Sequence, residues 1–189
     1  MRIIAGSQRG RTLVAPKGRN TRPTQDYVRE SLFNIIQRDV PGATVLDLFA
    51  GSGALALEAL SRGADTAVLA DKSREAIACI NRNIDTLQYT TRVSVFQGDW
   101  RLIPARLAGK NITFDLVFLD PPYDLVLYAE MTDLLYRHRL LKPDALIVIE
   151  HHKDADPMLS EPFFMQDLRL YGDTAIHLYT FRPKGETDA

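Results

Sequence analysis

Carboxylates and glycines fall at the ends of predicted buried strands, where they could bind a nucleoside cofactor. Asp47 ends one apolar run, and Gly51 and Gly53 follow it in a turn that leads into a helix. Glycines allow a sharp turn and let a ligand approach the start of the helix closely. The spacing Gly51-x-Gly53-x-x-Ala56 also satisfies the dinucleotide fingerprint, so the glycines alone do not distinguish a nicotinamide from another nucleoside cofactor.

Three carboxylates favour S-adenosylmethionine at this predicted site. Asp47 suits a cationic group better than a pyrophosphate, and Asp71, at the end of the second strand, is placed to accept hydrogen bonds from ribose hydroxyls. Asp99, at the end of the third strand, can accept from an adenine amino group, with Trp100 beside it as an apolar wall. The sulfonium and ammonium charges of S-adenosylmethionine complement these carboxylates. The predicted cofactor site comprises Asp47, Phe49, Gly51, Ser52, Gly53, Asp71, Lys72, Asp99 and Trp100.

A second motif, Asp120-Pro121-Pro122-Tyr123, follows the fourth apolar run and predicts methyl transfer to an amino group. The exocyclic amine of a nucleobase is a poor nucleophile because its lone pair is delocalised into the ring. The Asp120 carboxylate and the Pro121 carbonyl can accept from that amine and orient its lone pair, and the two prolines stiffen the turn. Tyr123 offers a ring on which an unstacked base can stack. This is catalysis by positioning and electrostatics, and it requires neither a metal nor a covalent intermediate. The predicted catalytic residues are Asp120, Pro121, Pro122 and Tyr123.

Alternating strands and helices must position these motifs. Strands are predicted over residues 44–48, 67–70, 93–96, 114–119 and 145–150, with helices over 54–62 and 73–87, a short helix after Asp99 and a helix that ends near residue 139. Residues 163–171 and 175–181 form a predicted antiparallel hairpin around Gly172-Asp173. The pattern predicts a Rossmann-like, doubly wound α/β fold with a mostly parallel seven-stranded sheet. In such sheets ligands bind beyond the carboxyl ends of the strands.

The N-terminal 22 residues are basic in a chain that has 23 basic and 24 acidic residues overall. They contain Arg2, Arg9, Arg11, Lys17, Arg19 and Arg22, and no acidic side chain. Such a run predicts contact with a polyanion, most plausibly nucleic acid, and the alternative is a solvated N-terminus without a partner. We assign RNA contact to Arg9, Arg11, Arg19 and Arg22.

We predict that this N-terminal segment is a separate arm from the rest of the chain. Residues 2–4 and 12–15 form a predicted small β-hairpin, and a helix is predicted from an N-cap at Thr24 to about residue 38. We therefore expect a basic arm, residues 1–22, beside the pocket of a methyltransferase domain, residues 23–189.

Composition indicates an ordinary soluble globular protein. The 189 residues are 46% hydrophobic and 25% charged, enough for one core without disulfides. No apolar run approaches the ~20 residues needed to span a bilayer, and the N-terminus lacks a signal-peptide core. The single cysteine, Cys79, cannot form an intramolecular disulfide, which favours a reducing compartment. We expect a cytoplasmic monomer with neither a membrane nor a metal partner.

Several motifs together resemble one known family. The tetrapeptide at residues 120–123 resembles that of amino-methyltransferases acting on nucleobase exocyclic nitrogens. Further matches are Arg2-Ile3-Ile4-Ala5-Gly6, Gly10-Arg11, Arg22-Pro23-Thr24, Arg29-Glu30-Ser31-Leu32-Phe33-Asn34, Asp47-Leu48-Phe49-Ala50-Gly51-Ser52-Gly53 and Glu58-Ala59-Leu60-Ser61-Arg62-Gly63. They resemble the bacterial RsmD family of 16S rRNA guanine-N2 methyltransferases over most of residues 1–150.

The resemblance implies a cofactor, a partner and a target atom. It implies S-adenosylmethionine as the cofactor, 16S rRNA of the small ribosomal subunit as the partner, and guanine N2 as the methylated atom. It also implies an amine-orienting role for residues 120–123, and Ala56 stands where the family often has glycine. The cofactor roles that it implies are those of Asp47, Gly51, Gly53, Asp71 and Asp99. The tetrapeptide alone equally allows adenine N6 or cytosine N4.

Other functions stay open from the residues alone. A DNA or RNA adenine-N6 methyltransferase would share the tetrapeptide, although 189 residues leave little room for a DNA target-recognition domain. A non-catalytic RNA-binding assembly factor would not need the tetrapeptide, and a nicotinamide oxidoreductase is disfavoured by Asp47. His151 and His152 follow the fifth strand and cannot easily share a metal, because adjacent strand residues point to opposite faces. A substrate contact by one of them and a polar loop are both open.

Overall fold

The computed structural model of the chain describes residues 1–16, 23–122 and 127–183. The helices in these residues are α1 (Pro23–Ile35), α2 (Ala54–Ser61), α3 (Arg74–Leu87), α4 (Ile103–Ala108) and α5 (Tyr128–Arg137). The strands are β1 (Thr44–Asp47), β2 (Thr66–Asp71), β3 (Val93–Gln97), β4 (Phe114–Leu119), β5 (Leu141–His152), β6 (Phe163–Tyr171) and β7 (Thr174–Phe181). Within the described ranges, no helix has the length and apolar character needed to cross a bilayer.

The strands form one seven-stranded sheet in the order β3-β2-β1-β4-β5-β7-β6. Strands β1 to β5 pair in parallel, and β7 pairs antiparallel with both β5 and β6. This arrangement confirms the predicted fold class, including the antiparallel C-terminal hairpin. Because β1 lies between β2 and β4, the strand order reverses there and leaves a crevice beyond the carboxyl ends of β1 and β4.

Side chains on the two faces of the sheet belong to two separate hydrophobic clusters. In β4, Leu116 and Phe118 pack with α1, α2 and α3, whereas Val117 and Leu119 pack with α4 and α5. Successive strand residues point to opposite faces, so a strand covered on both faces must be apolar throughout. This double burial explains why the central strands were recognisable as unbroken apolar runs.

Two predicted boundaries were wrong. Helix α1 begins at Pro23, so Thr24 lies within the first turn and is not the N-cap; proline suits this first position because its missing N–H has no helical partner there. Strand β5 extends from Leu141 to His152, well beyond residues 145–150, because its pairing with β7 continues to Thr174. His151 and His152 are therefore strand residues and do not form a loop.

Residues 1–14 form a small hairpin. It packs on the face of the sheet that α1, α2 and α3 cover. Arg2 and Thr12 are antiparallel partners, and the Ile3 amide donates to the Arg11 carbonyl at 2.9 Å. The side chains of Ile3 and Leu13 are buried in the same cluster as these three helices. The hairpin is therefore continuous with the core of the domain.

A buried glutamate in α2 fixes the first strand of the hairpin. The Glu58 carboxylate accepts from the amides of Ile4 at 2.7 Å and Ala5 at 3.0 Å, and from Arg62 Nε at 2.7 Å. At Gly6 the backbone has φ +83°, and a Cβ would lie 1.9 Å from the Ser61 carbonyl oxygen. Only glycine fits this contact, so the turn of the hairpin is pressed directly onto the end of α2.

A buried asparagine in α3 fixes the second strand of the hairpin and the glycine turn together. Asn83 Oδ1 accepts from the Val14 amide at 2.8 Å, and Asn83 Nδ2 donates to the carbonyls of Val14 at 2.9 Å and Ser52 at 2.8 Å. Its side chain is fully buried. One residue thereby connects the N-terminal hairpin, a helix and the turn that follows β1.

We expect Asn83→Ala to lower the free energy of unfolding by about 2–4 kcal/mol, because it leaves one amide and two carbonyls near the core without their partner. Urea denaturation measures this change. Asn81→Ala is the matched control, because Asn81 is an exposed residue of the same helix. Equal stability of the two variants would contradict the role given to Asn83.

Candidate active site

The three predicted carboxylates lie in a row along one edge of the sheet. Asp47 is the last residue of β1 and is only 1% exposed, and Asp71 is the last residue of β2 and is half-buried. Asp99 lies two residues beyond β3 and is exposed. Since β3, β2 and β1 are neighbours in parallel, the carboxyl ends of all three face the same side. The structure thus brings these residues together beside the crevice.

Asp71 also holds the glycine turn in place. Its Oδ2 accepts from the Gly51 amide at 2.9 Å, and its Oδ1 accepts from the Ser73 amide at 2.8 Å. The carboxylate therefore connects the turn after β1 to the start of α3. Each carboxylate oxygen has further lone pairs, so these bonds leave capacity for ribose hydroxyls. Sequence reasoning missed this positioning role, because nothing in the spacing of the two residues signals it.

The glycine turn presents backbone to the crevice. Gly53 is the N-cap of α2 with φ +81°, and a Cβ there would lie 2.8 Å from Leu69 Cδ2. The position therefore excludes a side chain, which allows a ligand to approach the start of the helix. Ser52 is buried, and its Oγ donates to Met1 Sδ at 3.3 Å.

Two aromatic side chains flank the third carboxylate. The rings of Phe49 and Trp100 lie 6.4 Å apart, and Trp100 is buried in the cluster formed with α4 and α5. The Arg101 guanidinium covers the Trp100 ring at 4.4 Å, and its amide donates to Asp99 Oδ1 at 3.0 Å. Lys72 follows Asp71 as an exposed residue. The predicted apolar wall is thus a packed aromatic pair.

The predicted catalytic tetrapeptide begins directly after β4. Asp120 is half-buried, Pro121 is buried and Pro122 is exposed, whereas Tyr123 lies outside the described residues. Asp47 is the register partner of Phe118, and the Leu48 amide donates to the Phe118 carbonyl at 3.3 Å. The ends of β1 and β4 are therefore adjacent, and Asp120 lies on the opposite side of the crevice from the glycine turn.

Two of the four predicted RNA-binding arginines lie in the described part of the chain. Arg9 and Arg11 are exposed near the hairpin turn, and Arg11 Nη2 donates to the Thr86 carbonyl at 3.2 Å. Thr86 is in the last turn of α3, about 18 Å along the helix from its start at the crevice. Arg19 and Arg22 lie outside the described residues. Asn83, one turn before Thr86 in the same helix, donates to the carbonyl of Ser52 in the glycine turn, and the expectation that the arm sits beside the pocket stays a prediction.

His151 forms a buried pair with His177 of β7. His151 Nε2 and His177 Nδ1 are 2.7 Å apart, and His151 Nδ1 lies 2.7 Å from the His152 carbonyl oxygen. Because a carbonyl only accepts, His151 carries its proton on Nδ1 and accepts from His177 Nδ1. His152 is half-exposed and pairs with Asp154 at 3.3 Å. In the described part of the chain, no group of three or more side chains is arranged to hold a metal.

The histidine pair lies at a cavity of about 570 Å³ between the β5–β6 loop and the sheet. Its walls include Met165, Leu168 and Leu170 of β6, and Tyr179 holds the loop by donating to the Pro157 carbonyl at 2.7 Å. Burial lowers the pKa of His177, and the proximity of His151 lowers it further, against the opposing charge of Asp156. The cavity is on the α5 face of the sheet, outside the crevice.

Comparison with known proteins places the chain among methyltransferases. The family model described as "Conserved hypothetical protein 95" matches residues 1–180. "Ribosomal RNA small subunit methyltransferase D" of Escherichia coli is 36% identical over 100% of this chain and 94% of its own length. The solved structure "Putative methyltransferase yhhF from Escherichia coli" is 35% identical, with a TM-score of 0.84 over 97% of this chain and 99% of its own. A methyltransferase solved with SAH, SMU.776, shares the fold at 16% identity and a TM-score of 0.70, over 83% of this chain and 49% of its own.

We expect Asp71→Ala to weaken S-adenosylmethionine binding by about 10- to 100-fold, because charge-assisted hydrogen bonds to the ribose and the support of the glycine turn are both lost. Asp71→Asn should lose less, since its remaining carbonyl oxygen can still accept one amide. Isothermal titration calorimetry measures both, with exposed Asp85→Ala of α3 as the control. An unchanged affinity of Asp71→Ala would exclude the residue from the cofactor site.

We expect acid to destabilise the fold through His177. Its pKa is lowered in the folded protein from the ordinary 6.5, so below about pH 6.5 the unfolded state binds more protons and stability is lost, whereas above it the stability is fully present. His177→Asn should reduce the slope of unfolding free energy against pH by at most about 1.4 kcal/mol per unit. Urea denaturation between pH 5 and 8 tests this, with half-exposed His138→Asn as the control. Identical slopes for wild type and His177→Asn would refute it.

Proposed function

The chain belongs to the RsmD family of ribosomal RNA methyltransferases, and from this membership we propose that it methylates the exocyclic N2 of a guanine in 16S rRNA. The observation that carries the proposal is the adjacency of two motifs. Asp120 leaves β4 beside the end of β1, where Asp47 and the glycine turn begin. A methyl donor held on the β1 side of the crevice therefore faces an amine held on the β4 side.

The residues on the β1 side fit S-adenosylmethionine. Asp47, Asp71 and Asp99 supply negative charge for a cationic cofactor, and Asp71 has lone pairs left for ribose hydroxyls. Gly53 starts α2 without a side chain, so a ligand would meet bare backbone at the beginning of the helix. When bound, S-adenosylmethionine supplies an electrophilic methyl group. Binding of this cofactor by the residues named is part of the proposal, supported by the donor set and by the shared fold.

The residues on the β4 side act on the amine. The Asp120 carboxylate and the Pro121 carbonyl accept hydrogen bonds from the guanine N2 amine and direct its lone pair at the methyl carbon. The methyl group that bound S-adenosylmethionine would supply would replace one proton of the amine, and that proton would pass to solvent. Pro121 offers no amide proton that could compete for these acceptors, and its burial keeps the turn rigid. Tyr123 is proposed to stack on the extruded base.

The N-terminal segment supplies RNA contacts in this proposal. Arg9 and Arg11 are exposed near the hairpin turn, where they would bind phosphates of the RNA outside the target nucleotide. Arg19 and Arg22 are proposed to contribute further charge. Residues 1–22 would then be an RNA-contact surface on the methyltransferase domain, residues 23–189. A small-subunit rRNA substrate also fits the monomeric, cytoplasmic protein that we propose.

We expect Asp120→Ala to reduce methyl transfer by about 100-fold or more while the affinity for S-adenosylmethionine stays within about threefold, because the lost group contacts the amine and not the cofactor. The assay follows labelled methyl transfer to 16S rRNA, to small ribosomal subunits and to DNA. Asp133→Ala is the control, because Asp133 is a half-exposed residue of α5 that pairs with Arg137. Parallel loss of cofactor affinity would instead assign Asp120 to the cofactor site.

The identity of the methylated base is measured on the wild-type product. Digestion of the labelled rRNA and mass spectrometry should yield N2-methylguanosine. N6-methyladenosine or N4-methylcytidine would contradict the proposed target, and transfer to DNA alone would contradict the proposed substrate.

A further inference from the structure

Two tyrosine rings are fixed against each other at the surface. Tyr27 of α1 and Tyr171 of β6 lie 6.1 Å apart at an interplanar angle of 81°, an edge-to-face contact. Tyr27 is 62% exposed, although Val28 and Arg29, which follow it, are buried. Tyr171 is half-buried and packs against the core cluster of α1 to α3. The Tyr27 ring is thus held by a neighbour and still open to a partner.

The tyrosine pair lies at the same edge of the sheet as the catalytic tetrapeptide. Tyr171 is opposite Thr174, which is opposite His152 at the end of β5. Ile149 of β5 is level with Leu119 of β4, so the row of His152 is level with Pro122. Between β4 and β6 lie β5 and β7, which places Tyr171 about 14 Å from β4. An extended RNA strand can span that distance, from a nucleotide at the tetrapeptide to a neighbouring nucleotide at the tyrosines.

The chemistry of the reaction creates a need for such a surface. Extruding a base from its stack deprives the adjacent bases of a stacking partner, and that energy must be recovered elsewhere. Proteins that hold single-stranded nucleic acid recover it with aromatic rings, since every base has a π-face. A ring already immobilised by a neighbour loses little conformational freedom on binding.

We propose that Tyr27, supported by Tyr171, is a stacking platform for a nucleobase of the RNA substrate close to the target guanine. The inference rests on the proposed function for the identity of the substrate. It makes Tyr27 a substrate-positioning residue and gives it no part in methyl transfer itself. It also accounts for the presence of the large aromatic side chain of Tyr27 at an exposed position outside the core.

Tyr136 provides a matched control for this platform. It is 44% exposed and also contacts one aromatic ring, that of Phe181 at 5.6 Å. It lies about 12 Å along α5 from Tyr128, toward the edge of the sheet opposite the crevice. A general effect of removing an exposed tyrosine therefore shows in Tyr136→Ala as well.

The test compares Tyr27→Ala, Tyr27→Phe and Tyr136→Ala with wild type in steady-state methyl transfer at saturating S-adenosylmethionine. Tyr27→Ala should raise KM for the RNA by about 5- to 100-fold, the effect of removing one stacking ring. Its kcat, its affinity for S-adenosylmethionine and its melting temperature should stay near wild type. Tyr27→Phe and Tyr136→Ala should change KM by less than twofold.

Three results would overturn the proposal. The first is an unchanged KM in Tyr27→Ala. The second is an equal rise in KM in Tyr27→Phe, which would indicate a hydroxyl contact. The third is a parallel fall in the cofactor affinity or melting temperature of Tyr27→Ala, which would indicate a structural role.

A binding measurement separates this inference from the proposed function. RNA oligonucleotides that carry 2-aminopurine at positions flanking a guanine are titrated with the protein, and stacking on a ring quenches the fluorescence. Quenching by wild type and not by Tyr27→Ala supports the platform even where methyl transfer fails or another base is modified. Absence of a difference at every flanking position refutes the platform even where N2-methylguanosine is formed.

Discussion

The position of β1 between β2 and β4 is the constraint from which the site follows. At this point the strand order reverses, so the helices that follow β1 and β4 lie on opposite faces and leave a crevice. Parallel pairing delivers Asp47 and Asp71 to one side of that crevice and Asp120 to the other. The Asp71 carboxylate then fixes the glycine turn through the Gly51 amide. Cofactor and substrate groups are thereby carried by separate strands whose spacing is set by backbone hydrogen bonds, and a rigid framework of this kind suits catalysis by positioning.

Buried polar groups couple the N-terminal hairpin to this framework. Glu58, Asn83 and Arg29 are all buried, and each forms a hydrogen bond with the backbone of residues 1–14. Arg29 Nη2 donates to the Arg2 carbonyl at 2.6 Å, and burial lowers the pKa of Arg29 against the opposing charges of Asp26 and Glu58. Without the hairpin each of these groups would lose hydrogen bonds to it, and a buried polar group left unsatisfied costs about 1–3 kcal/mol. Of these three residues, Asn83 also supports the glycine turn, by donating to the Ser52 carbonyl.

Features set by residues close together in the sequence were predictable, and features set by residues far apart were not. The strands, the glycine turn and the residues at strand ends were predictable, because double burial produces apolar runs and the motifs are local. The role of Asn83 could not be predicted, because its partners Val14 and Ser52 are 69 and 31 positions away in the sequence. The full length of β5 could not be predicted either. Pro143 and Asp144 interrupt its apolar pattern, and the strand continues through them with a shift in its register against β4. The His151–His177 pair likewise joins residues 26 positions apart, through the antiparallel pairing of β5 and β7.

The two faces of the sheet differ in what they could offer an RNA. The hairpin with Arg9 and Arg11 and helix α1 with Tyr27 share one face, which ends at the crevice. The other face carries the histidine cavity, with Asp154 and Asp156 on its lining, and these carboxylates repel phosphates. A strand that enters the crevice with its target base is therefore favoured to run over the first face, with phosphates at the arginines and a base at the tyrosine. On this path the contacts that hold the RNA lie on the hairpin and α1, and the groups proposed to orient the amine lie at the end of β4. Affinity for the RNA would then be separable from chemistry at the amine, because different residues on different elements supply them.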